Sequence, residues 1–401
     1  MYAPLSLPMS RIYILSILFY SANAILTVIF PLQASRFGMS ETNIGILIGL
    51  YMLLCMIARP FAGHFIAKYS IYTTLKSLLI VHAITLFIYI LFDVKSLYLV
   101  RIMQGVVTAF FSMALQLTIQ EIVREDERGQ GMSLYALSTV LPTIYGPALA
   151  LSLFSSAPAY VTVFLTALAL FPLLLFPFSP FPKKRRRKGR FQSREFLHAF
   201  REAIRHPGIR VATLNMLVGA AVFGALTAFL PIFLLENRVA NASIFLTLQA
   251  VIVVMSRFAL RTFIPSDGVW QRTWMSFILL SSPVGTALLA IGPSIGALVY
   301  LSALFNGIAL ALLYPSIVTY LSFVVPNRSK EAVFGGLIST YELGFFCGSA
   351  CFGIIAELVS FPFMFFTCTL LIVCIFVYTW KKDVATFTLP RISVTIEEKE
   401  E

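Results

Sequence analysis

Two charged residues lie inside long apolar stretches of the 401-residue chain, where charge is costly and usually has a function. Arg101 lies in LYLVRIMQGVVTAFFS, and Glu342 lies in ISTYELGFFCGSACFG. A guanidinium there needs a partner, so Arg101 could handle protons or substrate, reach the nearby interface, or tie two helices together. A desolvated carboxyl such as Glu342 could carry a proton near neutral pH, or it could stay neutral and hydrogen-bond a neighbouring helix.

Side-chain amides form a second group of polar residues in these apolar stretches. They are Asn23, Asn215, Gln249 and Asn306, and Gln104 follows Arg101 on the same helix face. Each could line a polar cavity, although hydrogen bonds between helices are their more common role. We therefore take Asn23, Asn215, Asn306 and Gln104, together with the two charged residues, as candidates for proton coupling and for the substrate cavity.

Other chemistry is not expected from this sequence. It has no GxxxxGK[ST] phosphate-binding loop, so direct ATP hydrolysis is not predicted, and we do not expect an enzyme. The five cysteines all lie in apolar stretches without a CxxC pair, which is typical of reduced, packed residues. We expect neither a metal site nor a cofactor.

The elements that position these residues follow from composition and from the length of the apolar runs. The chain is 59% hydrophobic and only 12% charged, whereas soluble domains have about 25% charged residues. A soluble core could not bury so much apolar surface, and a run of about 20 apolar residues crosses a membrane as a helix. Twelve such runs are predicted: 11–31, 44–64, 74–92, 96–120, 133–153, 158–180, 211–234, 244–264, 273–292, 295–325, 333–357 and 361–380.

The distribution of basic residues predicts the orientation in the membrane. Of 30 Lys and Arg, 24 fall on the side that holds both termini and residues 181–210, and only three fall in connections on the other side. The positive-inside rule then places both termini and residues 181–210 in the cytosol. The net charge of +12 is accordingly a feature of membrane topology and does not predict a nucleic-acid partner.

The middle of the chain is predicted to be a basic cytosolic linker. PKKRRRKGR occupies 182–190, and residues 194–205 read as an amphipathic helix that Pro207 ends. Such a segment lies along the inner leaflet, where basic residues interact with anionic lipid. The predicted division is an N-terminal six-helix bundle at 1–180, the linker at 181–210, a C-terminal six-helix bundle at 211–380 and a cytosolic tail at 381–401.

The two halves contain a weak internal repeat. Three pairs of residues are each 202 apart: Gly105 and Gly307, Gly146 and Gly348, Gln104 and Asn306. Arg59-Pro-Phe-Ala ends the second span, and Arg257-Phe-Ala-Leu lies in the eighth. Repeats of this size indicate two pseudo-symmetric bundles around a central site. The predicted fold is therefore an all-α membrane protein with 12 transmembrane helices.

Twelve spans with a basic middle loop resemble the major facilitator superfamily. Arg101, Gln104 and Gly105 match the R-x-x-Q-G pattern of proton-driven members, where the arginine is implicated in proton transfer. The fifth span keeps only Gly146-Pro147 of the antiporter pattern G-x-x-x-G-P. The resemblance implies that the first, fourth, seventh and tenth spans line the cavity.

The loop between the second and third spans is similar to the superfamily's G-x-L-A-D-R-x-G loop. Gly63 and Lys68 fit this pattern, but Ala67 replaces the aspartate and Ser70 replaces the second glycine. By this resemblance we expect Arg59, Gly63, Lys68, Gly105, Gly146, Pro147 and Arg257 to serve conformational change.

A narrower resemblance concerns the substrate. RIYILSILFYSANAIL, RPFAGHFIAK, RIMQGVVTAFFSMALQL and STYELGFFCGS resemble bacterial exporters of opine-type metallophores. This implies a secondary exporter of a small, polar, metal-chelating metabolite, working as a monomer by proton antiport and alternating access. A multidrug efflux antiporter with an almost wholly apolar cavity is the first alternative. The second is a non-transporting membrane receptor or assembly factor, which would have little reason to carry buried charge.

Overall fold

Twelve long helices account for most of the protein in the computed structural model, which describes residues 2–124, 127–155, 158–181, 205–236, 240–265, 268–325 and 330–382. These residues form no β-strand. The helices, in chain order, are α1 Leu7–Arg36, α2 Glu41–Lys68, α3 Ile71–Phe92, α4 Leu97–Ile122, α5 Arg128–Ser155, α6 Pro158–Leu175, α7 Pro207–Glu236, α8 Ala242–Ala259, α9 Arg272–Ala290, α10 Tyr300–Val324, α11 Lys330–Leu358 and α12 Phe361–Trp380.

Several helices begin at a residue whose side chain caps them. Ser40, Ser70, Asn241 and Ser360 each accept a hydrogen bond from the backbone N–H three residues later, at 3.1 to 3.5 Å. These bonds satisfy donors that have no partner inside the helix. The caps therefore set where α2, α3, α8 and α12 start, at the ends of the apolar runs.

Each of the twelve predicted spans coincides with one helix. Eleven stretches of the described residues are long and apolar enough to cross a membrane, and one of them, Ile71–Ile122, contains both α3 and α4. The predicted eighth span, 244–264, is too long, because α8 ends at Ala259. Pro265 follows shortly after, and a residue before proline disfavours the helical conformation.

The start of α7 differs from the predicted boundary at 211. The helix begins at Pro207, whose missing backbone N–H is tolerated in the first turn of a helix. The predicted basic run at 182–190 and tail residues 383–401 lie outside the described residues. So does the predicted amphipathic helix, apart from Arg205.

The internal repeat corresponds to equivalent helix packing in the two halves. A Cβ added to Gly105 of α4 would lie 2.5 Å from the Tyr51 carbonyl oxygen of α2, and one added to Gly307 of α10 would lie 3.2 Å from that of Gln249 in α8. The same holds for the second glycine pair: Gly146 packs on Ala24 of α1, and Gly348 packs on Ala221 of α7. The helix pairs α2–α4 and α1–α5 thus correspond to α8–α10 and α7–α11.

The apolar cores show where the two halves meet. One continuous core contains apolar residues from the C-terminal parts of α1 and α7 and from other helices of both halves. It includes Ile29 and Phe229. At the other end each half has a separate core, one around Phe111 and one around Leu321. The halves are therefore packed together at one end of the molecule and separate at the opposite end.

Two polar contacts reinforce the packed end. The Ser35 hydroxyl of α1 donates to Glu236 of α7 at 2.8 Å, and the Thr42 backbone N–H of α2 donates to Glu357 of α11 at 3.0 Å. Both bonds run from the first half to the second. They add directional contacts to an end that the apolar core already closes.

Candidate functional site

A cavity of about 490 Å³ lies between the two halves. Its walls come from α1, α2, α5 and all six helices from α7 to α12, and many of the lining residues are apolar. The polar lining residues are Tyr20, Asn23, Thr27, Tyr51, Thr139, Thr143, Asn215, Thr227, Gln249, Arg257, Ser282, Asn306, Tyr314 and Tyr341. The cavity can thus offer hydrogen bonds as well as apolar surface to a bound molecule.

Three predicted asparagines line this cavity and keep unsatisfied polar atoms. Asn23 donates to Thr108 at 3.1 Å and Asn215 donates to Thr379 at 2.9 Å, but the Oδ1 atom of each has no partner among the described residues. Neither Oδ1 nor Nδ2 of Asn306 has one. Buried polar atoms are normally hydrogen-bonded, so these amides keep unused bonding capacity in the wall of the cavity.

Arg101 is buried behind the cavity wall, with only 1% of its surface exposed. Its Nη1 donates to Thr27 at 3.4 Å and to Gln104 at 3.3 Å, and its Nη2 donates to the Leu26 carbonyl at 3.4 Å. The guanidinium also lies 4.6 Å from the ring centroid of Phe30. No carboxylate pairs with it within the described part of the chain. The contacts made by Arg101 therefore link α4 to α1.

The fourth helix does not line the cavity as the resemblance implied. None of the lining residues belongs to α4, and neither Arg101 nor Gln104 is among them. Instead Arg101 contacts the lining residue Tyr51, whose ring centroid is 5.8 Å away. The helices α1, α7 and α10 do line it. A proton-coupling role for Arg101 and Gln104 stays a prediction.

Glu342 forms an ion pair that the sequence analysis did not foresee. Its carboxylate is bonded to the guanidinium of Arg59, with one contact at 3.5 Å to Nε and a closer one to Nη2. The Glu342 side chain is 3% exposed and that of Arg59 is 24% exposed, so the pair lies at the edge of the protein interior. It joins α2 to α11, across the two halves, and neither residue is among those lining the cavity.

The signal for this pair was present in the sequence. Arg59 and Glu342 are two of very few charged residues within apolar spans, and charges there tend to pair. Their separation in the chain gives no indication of contact, however, because the order of helices within the fold decides which spans are neighbours.

Arg257 lines the cavity and differs in this from Arg59 and Arg101. Among the lining residues of the described chain it is the only charged one. Its Nε atom is buried without a hydrogen-bond partner. Tyr314 and Tyr341 lie near enough to interact with it electrostatically, and both also line the cavity.

The residues assigned to conformational motifs fall in different places. Gly105 and Gly146 sit at close helix contacts, and Pro147 lies inside α5 with its side chain at the cavity. Gly63 and Lys68 belong to α2, but their side chains lie outside what the structure describes. The role of these residues in conformational change stays a prediction.

Comparison with known proteins places the chain among membrane transporters. The family model of the Major Facilitator Superfamily matches residues 12–266. A protein from Staphylococcus aureus strain Mu50 described as "Staphylopine export protein" is 37% identical over 383 residues, covering 94% of this chain and 96% of that protein.

Solved structures agree at the level of the fold. The nucleoside transporter NupG matches with a TM-score of 0.73 and 16% identity, covering 94% of this chain and 100% of its own. A bacterial homologue of the lysosomal transporter Spinster, inward-facing and unoccupied, matches with a TM-score of 0.70 and 15% identity, covering 95% of each chain. A D-xylose–proton symporter has a TM-score of 0.71 and 14% identity, covering 95% of this chain and 99% of its own.

Proposed function

The chain belongs to the major facilitator superfamily, and from this premise we propose that it exports an opine-type metallophore, a small, polar, metal-chelating metabolite. The observation that carries the proposal is the 37% identity with the staphylopine export protein across 94% of this chain. The cavity supports it, because Asn23, Asn215 and Asn306 place amide side chains with unused bonding capacity in its wall. Such a molecule replaces its water contacts with these amides when it enters the membrane interior.

The transport cycle that we propose is alternating access by two six-helix bundles, at 1–180 and 211–380, joined by the linker at 181–210. The joined core and the separate cores lie at opposite ends. With both termini in the cytosol, the separate end faces the cytosol. The substrate would then enter from the cytosol, and rocking of the bundles would open the opposite end.

Proton antiport is the proposed source of energy. A proton on Glu342 would remove the ionic partner of Arg59 and weaken the contact between α2 and α11. Arg101 and Gln104, behind the cavity wall, are the second place where protonation could be sensed, through Tyr51 and Thr27. For antiport, Glu342 would release its proton to the cytosol when substrate binds and take up a proton from the opposite side after substrate has left, so that protons move inward as substrate moves outward.

The setting that we propose is the inner membrane of a bacterium, with a monomer whose basic linker contacts anionic lipid. The positions of Lys and Arg support this orientation. Transport needs no catalytic group in this scheme, so the protein acts as a transporter and carries out no chemical conversion.

A multidrug exporter is the second function that one observation favours, since apolar side chains form much of the cavity wall. A lipophilic drug would have to desolvate the three asparagines and Arg257 without bonding them. That cost is the reason for preferring the polar substrate. A non-transporting receptor would not need a polar cavity between its halves.

The proposal is tested with everted membrane vesicles that contain the protein. Staphylopine uptake should depend on an acidic vesicle interior and stop when an ionophore collapses the pH gradient. In cells, deletion of the gene should retain the metallophore inside and impair growth under metal chelation, with little change in drug sensitivity. Normal extracellular metallophore combined with higher sensitivity to several unrelated dyes would instead support multidrug export.

A further inference from the structure

Equivalent arginines in the two halves of the protein have different surroundings. Arg59 lies on α2 and Arg257 on α8, and these helices correspond in the pseudo-symmetric packing. The carbonyls of Tyr51 and Gln249 face the equivalent glycines of α4 and α10. Arg59 and Arg257 are the same number of residues apart as Tyr51 and Gln249. Arg59 and Arg257 are therefore counterparts.

Within the described residues, the counter-ion is present on one side only. Arg59 is paired with Glu342 of α11. The offset of 202 that relates Gly146 of α5 to Gly348 of α11 relates Glu342 to Val140. α5 packs on α8 in the same way that α11 packs on α2. Val140 therefore occupies, relative to Arg257, the position that Glu342 occupies relative to Arg59.

The unpaired arginine lies where a ligand can reach it. Arg257 and Val140 both line the cavity, and Nε of Arg257 has no hydrogen-bond partner. Tyr314 and Tyr341 line the same cavity with ring centroids 6.2 Å apart, and their phenol groups are further hydrogen-bond donors for an anion there. A partly buried guanidinium without a counter-ion is costly, and an anionic ligand removes that cost.

We propose that Arg257 binds a carboxylate of the transported molecule, so that the substrate supplies to Arg257 the counter-ion that Glu342 supplies to Arg59. The inference rests on the proposed function in assigning the cavity to a transported substrate. It identifies Arg257 as the residue that selects the substrate and a carboxylate as the group that Arg257 recognises. A planar guanidinium bonds a carboxylate through two parallel N–H groups, which an amide cannot do.

The probe for the test is nitrilotriacetate, an amine with three carboxylates, and its trimethyl ester is the uncharged control. Binding to the purified protein is measured as a rise in melting temperature over a concentration series. We expect stabilisation by the acid and none by the ester. Arg257→Gln should raise the Kd for the acid by roughly ten- to a hundredfold, whereas Arg257→Lys should raise it by a smaller factor. Arg261 is an exposed charge just beyond α8, and the Arg261→Gln protein should bind the acid as the wild type does.

A second variant tests the missing counter-ion directly. Val140→Glu should place a carboxylate opposite Arg257, as Glu342 is placed opposite Arg59, and so prevent binding of nitrilotriacetate. Val140→Gln adds the same bulk without charge and should weaken binding less. Equal loss in both variants would assign the effect to size and overturn the counter-ion argument.

Staphylopine uptake by the same variants separates this inference from the proposed function. Staphylopine uptake that is unchanged in Arg257→Gln would overturn the role of Arg257 and leave metallophore export standing. Binding of nitrilotriacetate that depends on Arg257, without any staphylopine uptake, would support the carboxylate site and overturn the metallophore. A wild-type protein that neither binds the acid nor takes up staphylopine would overturn both.

Discussion

Arginines within the membrane-spanning helices have three different environments in this transporter. Arg59 has a carboxylate partner, Arg101 has carbonyl, hydroxyl and aromatic partners, and Arg257 faces the cavity with an unsatisfied Nε. A guanidinium remains protonated in all these settings, so its neighbours decide what it does. In our proposals the ion pair responds to a proton and Arg257 binds an anion, whereas the contacts of Arg101 link two helices.

Substitution of Glu342 tests the proton-responsive pair. Glu342→Gln keeps a hydrogen-bond acceptor for Arg59 but cannot exchange a proton. We expect transport driven by a pH gradient to fall strongly and its pH dependence to flatten, while substrate counterflow without a gradient continues. Glu357→Gln is the matched control, because Glu357 also joins α11 to α2 but is exposed. An unchanged pH profile in Glu342→Gln would assign this residue to structure alone.

Arg101 gives a second test at the residue scale. Arg101→Ala should leave the amount of protein in the membrane within about twofold yet abolish gradient-driven export. Arg101→Lys should restore little, because an ammonium cannot reach the Leu26 carbonyl, Thr27 and Gln104 together. Immunoblotting and vesicle uptake provide the two measurements. Full export by the alanine variant would show that the charge serves neither coupling nor helix contact.

Helices approach closely wherever the sequence places glycine at their contacts. Gly344 and Gly348 of α11 face the backbone of α7, and Gly45 of α2 faces that of α11. Small residues allow such contacts in membranes, where packing and not water drives helix association. Close backbone approach therefore holds α11 against α7 within the C-terminal half and against α2 of the other half.

Replacement of glycine by alanine should therefore lower the stability of the protein at one position and not at another. A Cβ at Gly348 would overlap the Ala221 backbone, whereas one at Gly129 of α5 has nothing within 4 Å. Gly348→Ala should destabilise the protein by about 1–3 kcal/mol through overpacking. Gly129→Ala should be neutral or slightly stabilising, because alanine favours helix. Thermal unfolding of the purified variants measures both, and equal melting temperatures would contradict the close approach.

At the scale of the molecule, the distribution of cores describes one state of a transport cycle. The halves share a core at one end and have separate cores at the other, and the cavity lies between them. Helices α2 and α11 meet at the packed end and at the Arg59–Glu342 pair. Opening the packed end requires separation of these contacts.

The orientation of the molecule is tested by single cysteines in a background without the five native cysteines. Thr262 and Ser294 are both exposed, beyond opposite ends of α9. With the termini in the cytosol, Thr262→Cys should resist an impermeant thiol reagent in intact cells and Ser294→Cys should react. Permeabilised cells should label both. The reverse pattern in intact cells would invert the topology.

The sequence by itself determined the class of the protein and its twelve spans. Long apolar runs must become helices in a membrane, because only helices satisfy the backbone there within one segment. The repeated glycines at an offset of 202 also identified equivalent helix contacts in the two halves. These properties are local or periodic, so composition and spacing were enough to predict them.

Only the tertiary structure decided which polar groups meet. Arg59 and Glu342 are paired, Arg101 lies behind the cavity wall, and Arg257 lies at the cavity. All four residues look alike in sequence, as single charges in apolar runs. Their environments depend on helix order and on rotation about each helix axis, since a shift of about 100° per residue moves a side chain from wall to cavity. That rotation is set by packing against neighbours far away in the chain.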